Sequence, residues 1–291
     1  MIDSRVFIVG CPRSGTTLLQ SMLHSHPSIY SLPETKFFTA LIGIDRRAYL
    51  REAPRTLRAK VRALARDTLV KFGLVERHRQ FYAWRVICDV ARRSGWEKPI
   101  GCSSFLISHH TAAFVHLLDA LALASRKSIW LEKSTDHLFY IPQIARLVPH
   151  ARFIHIIRDG KDNVASLVDA AQKYPSDGWE EYKAVEVAVR LRNIAVQESQ
   201  KYRNDISHYF VRYEHLALNP RETLKGVCEF LGCHFDERMV TNYTSAASDL
   251  IHLWEHWKSG NRDALSSVAP SKYLQIFDAA QRAYIEKTLV P

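Results

Sequence analysis

Cysteine is scarce and lacks any pairing pattern: Cys11, Cys88, Cys102, Cys228 and Cys233 include no C-x-x-C spacing and no framework of the secreted, disulfide-stapled kind. Reduced thiols are the expectation. No apolar run approaches the roughly 18–20 residues that a helix needs to cross a bilayer. Residues 111–124 come closest, and His116 and Asp119 interrupt them. Strand-like sequence begins within a few residues of Met1, with no charged segment, apolar segment and cleavage site ahead of it. A cytoplasmic protein without a membrane span is therefore expected. Internal repeats, low-complexity tracts and an interdomain linker are also missing. Histidine offers no zinc-type spacing: His109 and His110 are adjacent and diverge on any regular element, and His155 sits inside the apolar run 153–157 as a core histidine. No paired-carboxylate magnesium site is apparent.

What is present suits one large α/β core. The chain has 291 residues, 47% of them hydrophobic, and is read as a single domain over 1–291. Short apolar strands are expected near 6–9, 128–132, 152–157 and 208–212, with a further one around 99–103. Helical periodicity covers 16–25, 55–72, 77–93, 108–125, 136–147, 161–173, 179–203 and 220–231. Strands so short and apolar, separated by helices, imply a parallel sheet covered on both faces, a three-layer α/β/α architecture. Residues 36–98 are expected to form a helical cap over the carboxyl ends of the strands, where open α/β sheets bind ligands.

The net charge of +10 is concentrated in residues 46–98, where Arg46, Arg47, Arg51, Arg55, Arg58, Lys60, Arg62 and Arg66 crowd together. Leu57, Val61, Leu64, Thr68 and Phe72 recur at helical spacing, so the arginines are assigned to the solvated face of an amphipathic helix. A surface for an acidic substrate, a membrane or a partner stays open as the alternative, and nucleic acid is set aside.

Residues 6–19, VFIVGCPRSGTTLL, carry most of the functional information. An apolar strand runs through a glycine-bounded turn, Gly10 to Gly15, into a helix, and backbone N–H groups at such a turn converge on an anion. In the nucleotide-hydrolysing pattern G-x-x-x-x-G-K-[ST] a lysine follows the second glycine. Here Thr16 stands there and the cation is Arg13, inside the loop. The turn suits a phosphate without the lysine of triphosphate cleavage.

PRSGTT after a buried strand resembles the 5′-phosphosulfate loop of sulfotransferases that use 3′-phosphoadenosine 5′-phosphosulfate. A second segment strengthens the resemblance. Residues 151–167, ARFIHIIRDGKDNVASL, read as strand, turn and helix, and they are similar to the family's 3′-phosphate motif, with Arg158 followed eight residues later by Ser166. Val211-Arg212-Tyr213-Glu214 is a weaker match to a Tyr-Glu-Asp motif, whose third position is His215 here. The resemblance implies that Arg13, Ser14, Gly15, Thr16 and Thr17 hold the 5′-phosphate and that Arg158 and Ser166 hold the 3′-phosphate. Tyr213 is implied at the adenine. Ser271-Lys272-Tyr273 loosely matches a Ser-Lys-Trp segment whose lysine binds the nucleotide, with Lys258 and Arg262 as competing choices.

Transfer of an activated sulfuryl group requires a deprotonated acceptor in line with the leaving oxygen and a cation where charge develops. Arg13 is assigned to the leaving group and Lys133 to the transferring oxygens. Glu34, in Leu32-Pro33-Glu34-Thr35-Lys36, is the leading base; tyrosylprotein sulfotransferases have a glutamate in a similar setting. His137, beyond Lys133, is its rival, with a capping or structural role as the alternative. The resemblance implies the sulfate donor as cofactor, adenosine 3′,5′-bisphosphate as product, and no required metal.

A small hydroxylated or amine-bearing metabolite is the expected acceptor, with a glycan, glycolipid or peptide tyrosine as alternatives. Phe37, Phe38, Phe81, Tyr82, Trp84 and Phe105 lie where an acceptor pocket is expected, although aromatic residues at helical spacing are more often core. A nucleotide-dependent kinase and a non-catalytic nucleotide or polyanion binder are the readings from other classes. Oligomeric state is not legible.

Overall fold

A computed structural model describes residues 1–43, 57–96, 104–251, 255 and 272–291. Strands β1 (Ser4–Gly10), β2 (Ile29–Ser31), β3 (Ile129–Lys133), β4 (Ala151–Ile157) and β5 (His208–Arg212) form one parallel sheet in the order β2-β3-β1-β4-β5. Side chains of a strand alternate between faces, and both faces here are covered. Phe7 and Val9 of β1 join Trp130 and Phe153 in one core, beneath helices Phe37–Ile42, Ile107–Ala124, Gly160–Lys173 and Val185–Gln200. Val6 and Ile8 join Leu131, Ile154 and Ile156 in the other, against helices Thr16–His24, Pro220–Leu231 and Tyr243–Leu250. The three-layer α/β/α reading holds. Fully burying one such Leu, Ile or Phe side chain contributes about 1.5–3 kcal/mol.

Topology places the ligand crevice. The chain leaves β1 towards β2 on one side and leaves β4 towards β5 on the other, so the helices after β1 and β4 lie on opposite faces of the sheet. β1 and β4 are neighbours, with Gly10 opposite Ile156. The crevice between their carboxyl ends is the switch point of the sheet, where open α/β folds bind ligands. The turn beginning at Gly10 and the turn beginning at Arg158 flank it.

The expected strands near 6–9, 128–132, 152–157 and 208–212 are present, and β2 is an addition of three residues. The helix expected over 136–147 starts as a 3-10 turn, Thr135–Tyr140, before Ile141–Leu147. Similarly, 179–203 divides into Glu180–Lys183 and Val185–Gln200. The strand expected at 99–103, Cys102, Arg46, Arg47, Arg51, Arg55, Lys258 and Arg262 lie outside the described residues. No helix among the described residues is long and apolar enough to cross a membrane.

The amphipathic assignment of helix Leu57–Lys71 is corrected. Val61, Leu64 and Phe72, expected to face the core, are 58%, 69% and 76% exposed. Leu69 and Val70 instead face Leu41, Ile42, Leu74 and Val75 across a small cavity. Arg66, expected on the solvated face, turns inward and donates from Nη1 to the Gly43 carbonyl at 3.0 Å. A long arginine stem covers apolar surface while its head finds a carbonyl, so a stripe read from hydropathy alone was turned around the helix axis. Helix Arg77–Arg93 buries Ala83, Ile87 and Ala91, and its Val86, Val90 and Arg93 line a cavity beside Glu34.

Candidate active site

The turn after β1 is shaped by close approach. Gly15 has φ 97°, and a Cβ there would lie 2.3 Å from the Tyr213 ring. At Gly10 a Cβ would lie 2.6 Å from the Ile156 carbonyl oxygen, because β4 runs alongside. Arg13 also takes a left-handed backbone, φ 68°, a conformation that costs a non-glycine residue on the order of 1 kcal/mol. Ser14 closes the turn by donating from Oγ to the Cys11 carbonyl at 2.7 Å. Helix Thr16–His24 then begins with no side-chain cap. Its first amides, which have no intrahelical acceptor, are left for an anion.

The turn after β4 is built differently. Asp159 caps helix Gly160–Lys173 by accepting from the amides of Lys161 and Asp162. The groups left at this turn are side chains. Arg158 leans on the Tyr213 ring at 4.5 Å and donates from Nη1 to the Arg13 carbonyl at 3.2 Å. Ser166, buried one turn and more along the helix, accepts from Arg13 Nε at 3.3 Å. Glu214, next to Tyr213, accepts from the Asp159 amide at 2.7 Å and so ties the start of helix Tyr213–Leu218 to this turn. The residues expected at the two phosphates thus converge across the crevice.

Two guanidinium groups meet there. Burial first, and then the Arg158 charge, lower the pKa of Arg13, with Asp169 offsetting part of the effect. Among the described residues, the buried Nε of Arg158 has no hydrogen-bond partner. Arg13 was assigned from sequence to the leaving group. Its guanidinium is placed on the Ser166 side, 6.0 Å from the Trp179 ring centroid, so it adjoins the residues expected from sequence at the 3′-phosphate. Lys272 is bound to Asp169, one turn beyond Ser166, rather than directed at either turn.

A second cluster lies at the end of β3. Lys133 Nζ donates to Glu34 Oε2 at 2.7 Å, and the two side chains are only 2% and 11% exposed. Glu34 lines a cavity of about 260 Å³ together with Pro33, Lys36, Val90 and Arg93. The loop carrying Glu34 is sewn to β3 by its neighbours. Glu132 Oε1 accepts from the Thr35 hydroxyl at 2.8 Å and from Ser134 Oγ at 2.6 Å, while Ser134 Oγ accepts from the Lys36 amide at 2.9 Å. On the other side, Gln20 of helix Thr16–His24 donates to Ser31 Oγ and to the Leu32 carbonyl, at 3.0 and 2.8 Å.

His137 belongs to this support. It is fully buried, its Nε2 accepts from the Phe38 amide at 3.2 Å, and its Nδ1 lies 2.8 Å from Glu132 Oε2. An acceptor at Nε2 puts the ring proton on Nδ1, facing the carboxylate. Burial by itself would raise the Glu132 pKa, but the nearby His137 ring and the hydrogen bonds from Ser134 and Thr35 outweigh it and hold the carboxyl below its ordinary range. This geometry gives His137 a structural place, with neither ring nitrogen turned to the cavity.

Of the aromatic residues considered for an acceptor pocket, Phe37 and Phe38 are core; Phe37 stacks on Phe114 at 4.0 Å. Phe81, Tyr82, Trp84 and Phe105 are exposed, and none lines the Glu34 cavity. His155 is a core histidine as expected, its Nε2 2.8 Å from His208 Nδ1, and burial lowers its pKa to about 3. Glu132, Thr35 and Ser134 were not singled out from sequence. An acidic residue inside the apolar strand IWLEK is the signal that was available, since a carboxylate buried there must be paired.

Comparison with known proteins agrees with the geometry. The family model described as the sulfotransferase family matches residues 5–237. The protein-tyrosine sulfotransferase of Drosophila melanogaster is 21% identical over 239 residues, covering 81% of this chain and 39% of that protein. Protein-tyrosine sulfotransferase 1 of Danio rerio is 24% identical over 241 residues, covering 81% of this chain and 55% of that protein. This chain therefore spans only about two fifths to just over half of these relatives. In fold, the sulfotransferase domain from the curacin biosynthetic pathway superposes with a TM-score of 0.53 at 18% identity, covering 97% of this chain and 98% of that one. Mouse sulfotransferase SULT7A1 complexed with PAP gives a TM-score of 0.53 at 13% identity, covering 99% and 84%. With the family model matched across most of its length, the chain belongs to the sulfotransferase family.

Proposed function

We propose that this protein transfers a sulfuryl group from 3′-phosphoadenosine 5′-phosphosulfate to a hydroxyl, and that the acceptor is a tyrosine of a peptide or protein. The observation that carries the cofactor reading is that Arg13 bonds Ser166 and Arg158 bonds the Arg13 carbonyl, while the buried Nε of Arg158 has no hydrogen-bond partner among the described residues. A bound phosphate would satisfy that nitrogen and relieve the repulsion between the two arginines. The small-metabolite acceptor expected from sequence gives way to the tyrosyl alternative, because relatives matching 81% of the chain are described as protein-tyrosine sulfotransferases.

The residues present fit the donor. The uncapped amides of helix Thr16–His24, with Ser14, Thr16 and Thr17, hold the 5′-phosphate; Arg158, Ser166 and Arg13 hold the 3′-phosphate; Tyr213 packs beside the nucleotide. When bound, the donor supplies an activated sulfur–oxygen bond to the 5′-phosphate. Glu34, held as a carboxylate by the Lys133 ammonium, takes the acceptor hydroxyl proton at Oε1 or Oε2 as that oxygen attacks. Lys133 stabilises charge on the transferring oxygens, more in the transition state than before it. Glu132, Thr35, Ser134 and His137 position Glu34 by fixing its loop. No metal is required by this scheme.

The test is calorimetric titration with adenosine 3′,5′-bisphosphate, AMP and ATP, followed by assay of a tyrosine peptide, its phenylalanine counterpart and a small phenol. Selective bisphosphate binding and sulfation of the tyrosine peptide alone are expected. Preference for the free phenol would restore the small-molecule acceptor, and equal binding of ATP would favour a kinase. Glu34→Gln should lower kcat by about 10²–10⁴ with bisphosphate affinity unchanged. A Glu34→Gln enzyme that turns over normally would remove Glu34 from the base role.

A further inference from the structure

Three side chains from two distant parts of the chain meet where helix Thr16–His24 ends, at the opposite end from the turn after β1. One ring nitrogen of His26 and the sulfurs of Cys228 and Cys233 all lie within 4.8 Å of one another. The Met239 sulfur is 3.7 Å from the Cys228 sulfur. Ligand sulfurs on a tetrahedral ion, with metal–sulfur bonds of about 2.3 Å, are separated by a similar distance, roughly 3.8 Å. His26 and Cys228 are buried and Cys233 is half-buried, which leaves one side open to an entering ion.

The fold makes this convergence without a metal-type sequence spacing. Gly232 ends helix Pro220–Leu231 in a left-handed turn, φ 75°, and the Cys233 amide returns to the Cys228 carbonyl at 3.0 Å, so two cysteines five residues apart face one another. His26 is already oriented. Its Nδ1 accepts from the Ser28 amide at 3.1 Å, which puts the ring proton on Nε2, 2.8 Å from the His234 carbonyl oxygen. Donation of one ring N–H to a backbone carbonyl is how metal-bound histidines are commonly held, with the other nitrogen as ligand. Both ring nitrogens have backbone partners, so an ion binding His26 would displace one of them, the Ser28 amide at Nδ1 or the His234 carbonyl at Nε2.

We propose that His26, Cys228 and Cys233, with the Met239 thioether beside them, bind one thiophilic d10 ion, Zn2+ or Cu+, in a structural site that takes no part in sulfuryl transfer. Two thiolates, an imidazole and a thioether are soft or borderline donors, and such a set selects these ions over Mg2+ or Ca2+. Binding displaces the two thiol protons and changes no oxidation state. The ion would join the end of the phosphate-loop helix to the Pro220–Leu231 and Arg238–Thr241 helices.

The full chain, reduced and freed of metal with a chelator, is titrated with Co2+ as a spectroscopic probe, then with Zn2+ and Cu+ against a coloured competing chelator. A thiolate-to-cobalt charge-transfer band saturating at one equivalent is expected, displaced by Zn2+, and lost in Cys228→Ser and Cys233→Ser but kept in Cys88→Ser. Cys233 is half-buried, so its serine variant should fold; unchanged circular dichroism and adenosine 3′,5′-bisphosphate binding check that it does. In Met239→Leu, a roughly tenfold loss of Cu+ affinity alone supports Cu+ as the ion, and unchanged affinities support Zn2+. No uptake by wild type, or equal uptake by Cys233→Ser, overturns the proposal. So does a Cys228–Cys233 disulfide in the purified protein that, once reduced, still takes up no metal.

Discussion

The two turns that flank the crevice meet the same chemical demand by opposite means. After β1, the helix Thr16–His24 starts without a side-chain cap, and in the proposed function its amides are the binding groups. After β4, Asp159 caps the helix Gly160–Lys173, and in the proposed function binding passes to the Arg158 and Ser166 side chains. A backbone cradle depends on the path of the chain and tolerates many side chains, whereas a side-chain clamp depends on particular residues and tolerates the path. The first turn should therefore be broken by a change of shape and the second by a change of charge.

The largest effect is expected from Gly15→Ala. The new methyl would enter the Tyr213 ring, 2.3 Å away, at a backbone φ of 97° that L-residues avoid. Overpacking and left-handed strain together should cost about 2–4 kcal/mol, read as a lower midpoint in urea unfolding with loss of AMP and bisphosphate binding alike. Thermal and urea midpoints equal to wild type would show that the turn yields more readily than its contacts imply.

Next is Arg158→Ala, which removes charge without altering the path. Hydrogen bonds to charged groups contribute about 1.5–3 kcal/mol, so bisphosphate affinity should fall roughly 10- to 150-fold while AMP affinity stays nearly constant. Equal losses for both ligands would mean that Arg158 serves the first turn through its bond to the Arg13 carbonyl.

How much of this was legible beforehand follows the same division. The β1 turn announces itself because an apolar run, a glycine-bounded loop and a helix are all local, and the spacing of Arg158 and Ser166 is local too. Non-local partnerships were not legible. β2, at Ile29–Ser31, is too short for its alternation to register between Pro27 and Pro33. Glu132 lies almost one hundred positions from Thr35, and only β-pairing of β2 with β3 brings their loops together. Arg13 could be named as a ligand-binding cation, but the direction of its side chain depends on Ser166, from another strand–helix unit. The stripe Val61, Leu64 and Phe72 had the correct period with the wrong face, because Leu41, Ile42 and Val75 decide which side of that helix is covered. Periodicity gives a helix; its facing is set by whatever packs against it.

Acidity offers a test of the acceptor side. Glu132 has a folded-state pKa below its ordinary value, so its contribution to stability is present above the ordinary glutamate range and is lost as pH falls through the lowered pKa. Glu132→Gln removes the buried charged acceptor shared by Thr35 and Ser134 and should cost about 1.5–3 kcal/mol near neutral pH, with a smaller difference from wild type in acid. A difference that is constant with pH would mean that this acceptor matters by shape rather than by charge.

The smallest effect separates the two turns most cleanly. Asp159→Ala leaves Arg158, Ser166 and the chain path in place and removes only the cap, whose Oδ1 accepts from the Lys161 and Asp162 amides at 2.9 and 3.1 Å. Loss of an N-cap carboxylate typically costs about 1 kcal/mol, seen as a small drop in thermal midpoint. Bisphosphate affinity should change by less than about threefold, because one charge at a solvent-exposed helix end is worth a few tenths of a kcal/mol to a nearby phosphate. A marked gain in affinity would show that the uncapped amides had become a second backbone cradle, which would make the two turns interchangeable in principle and attribute their difference to this one carboxylate.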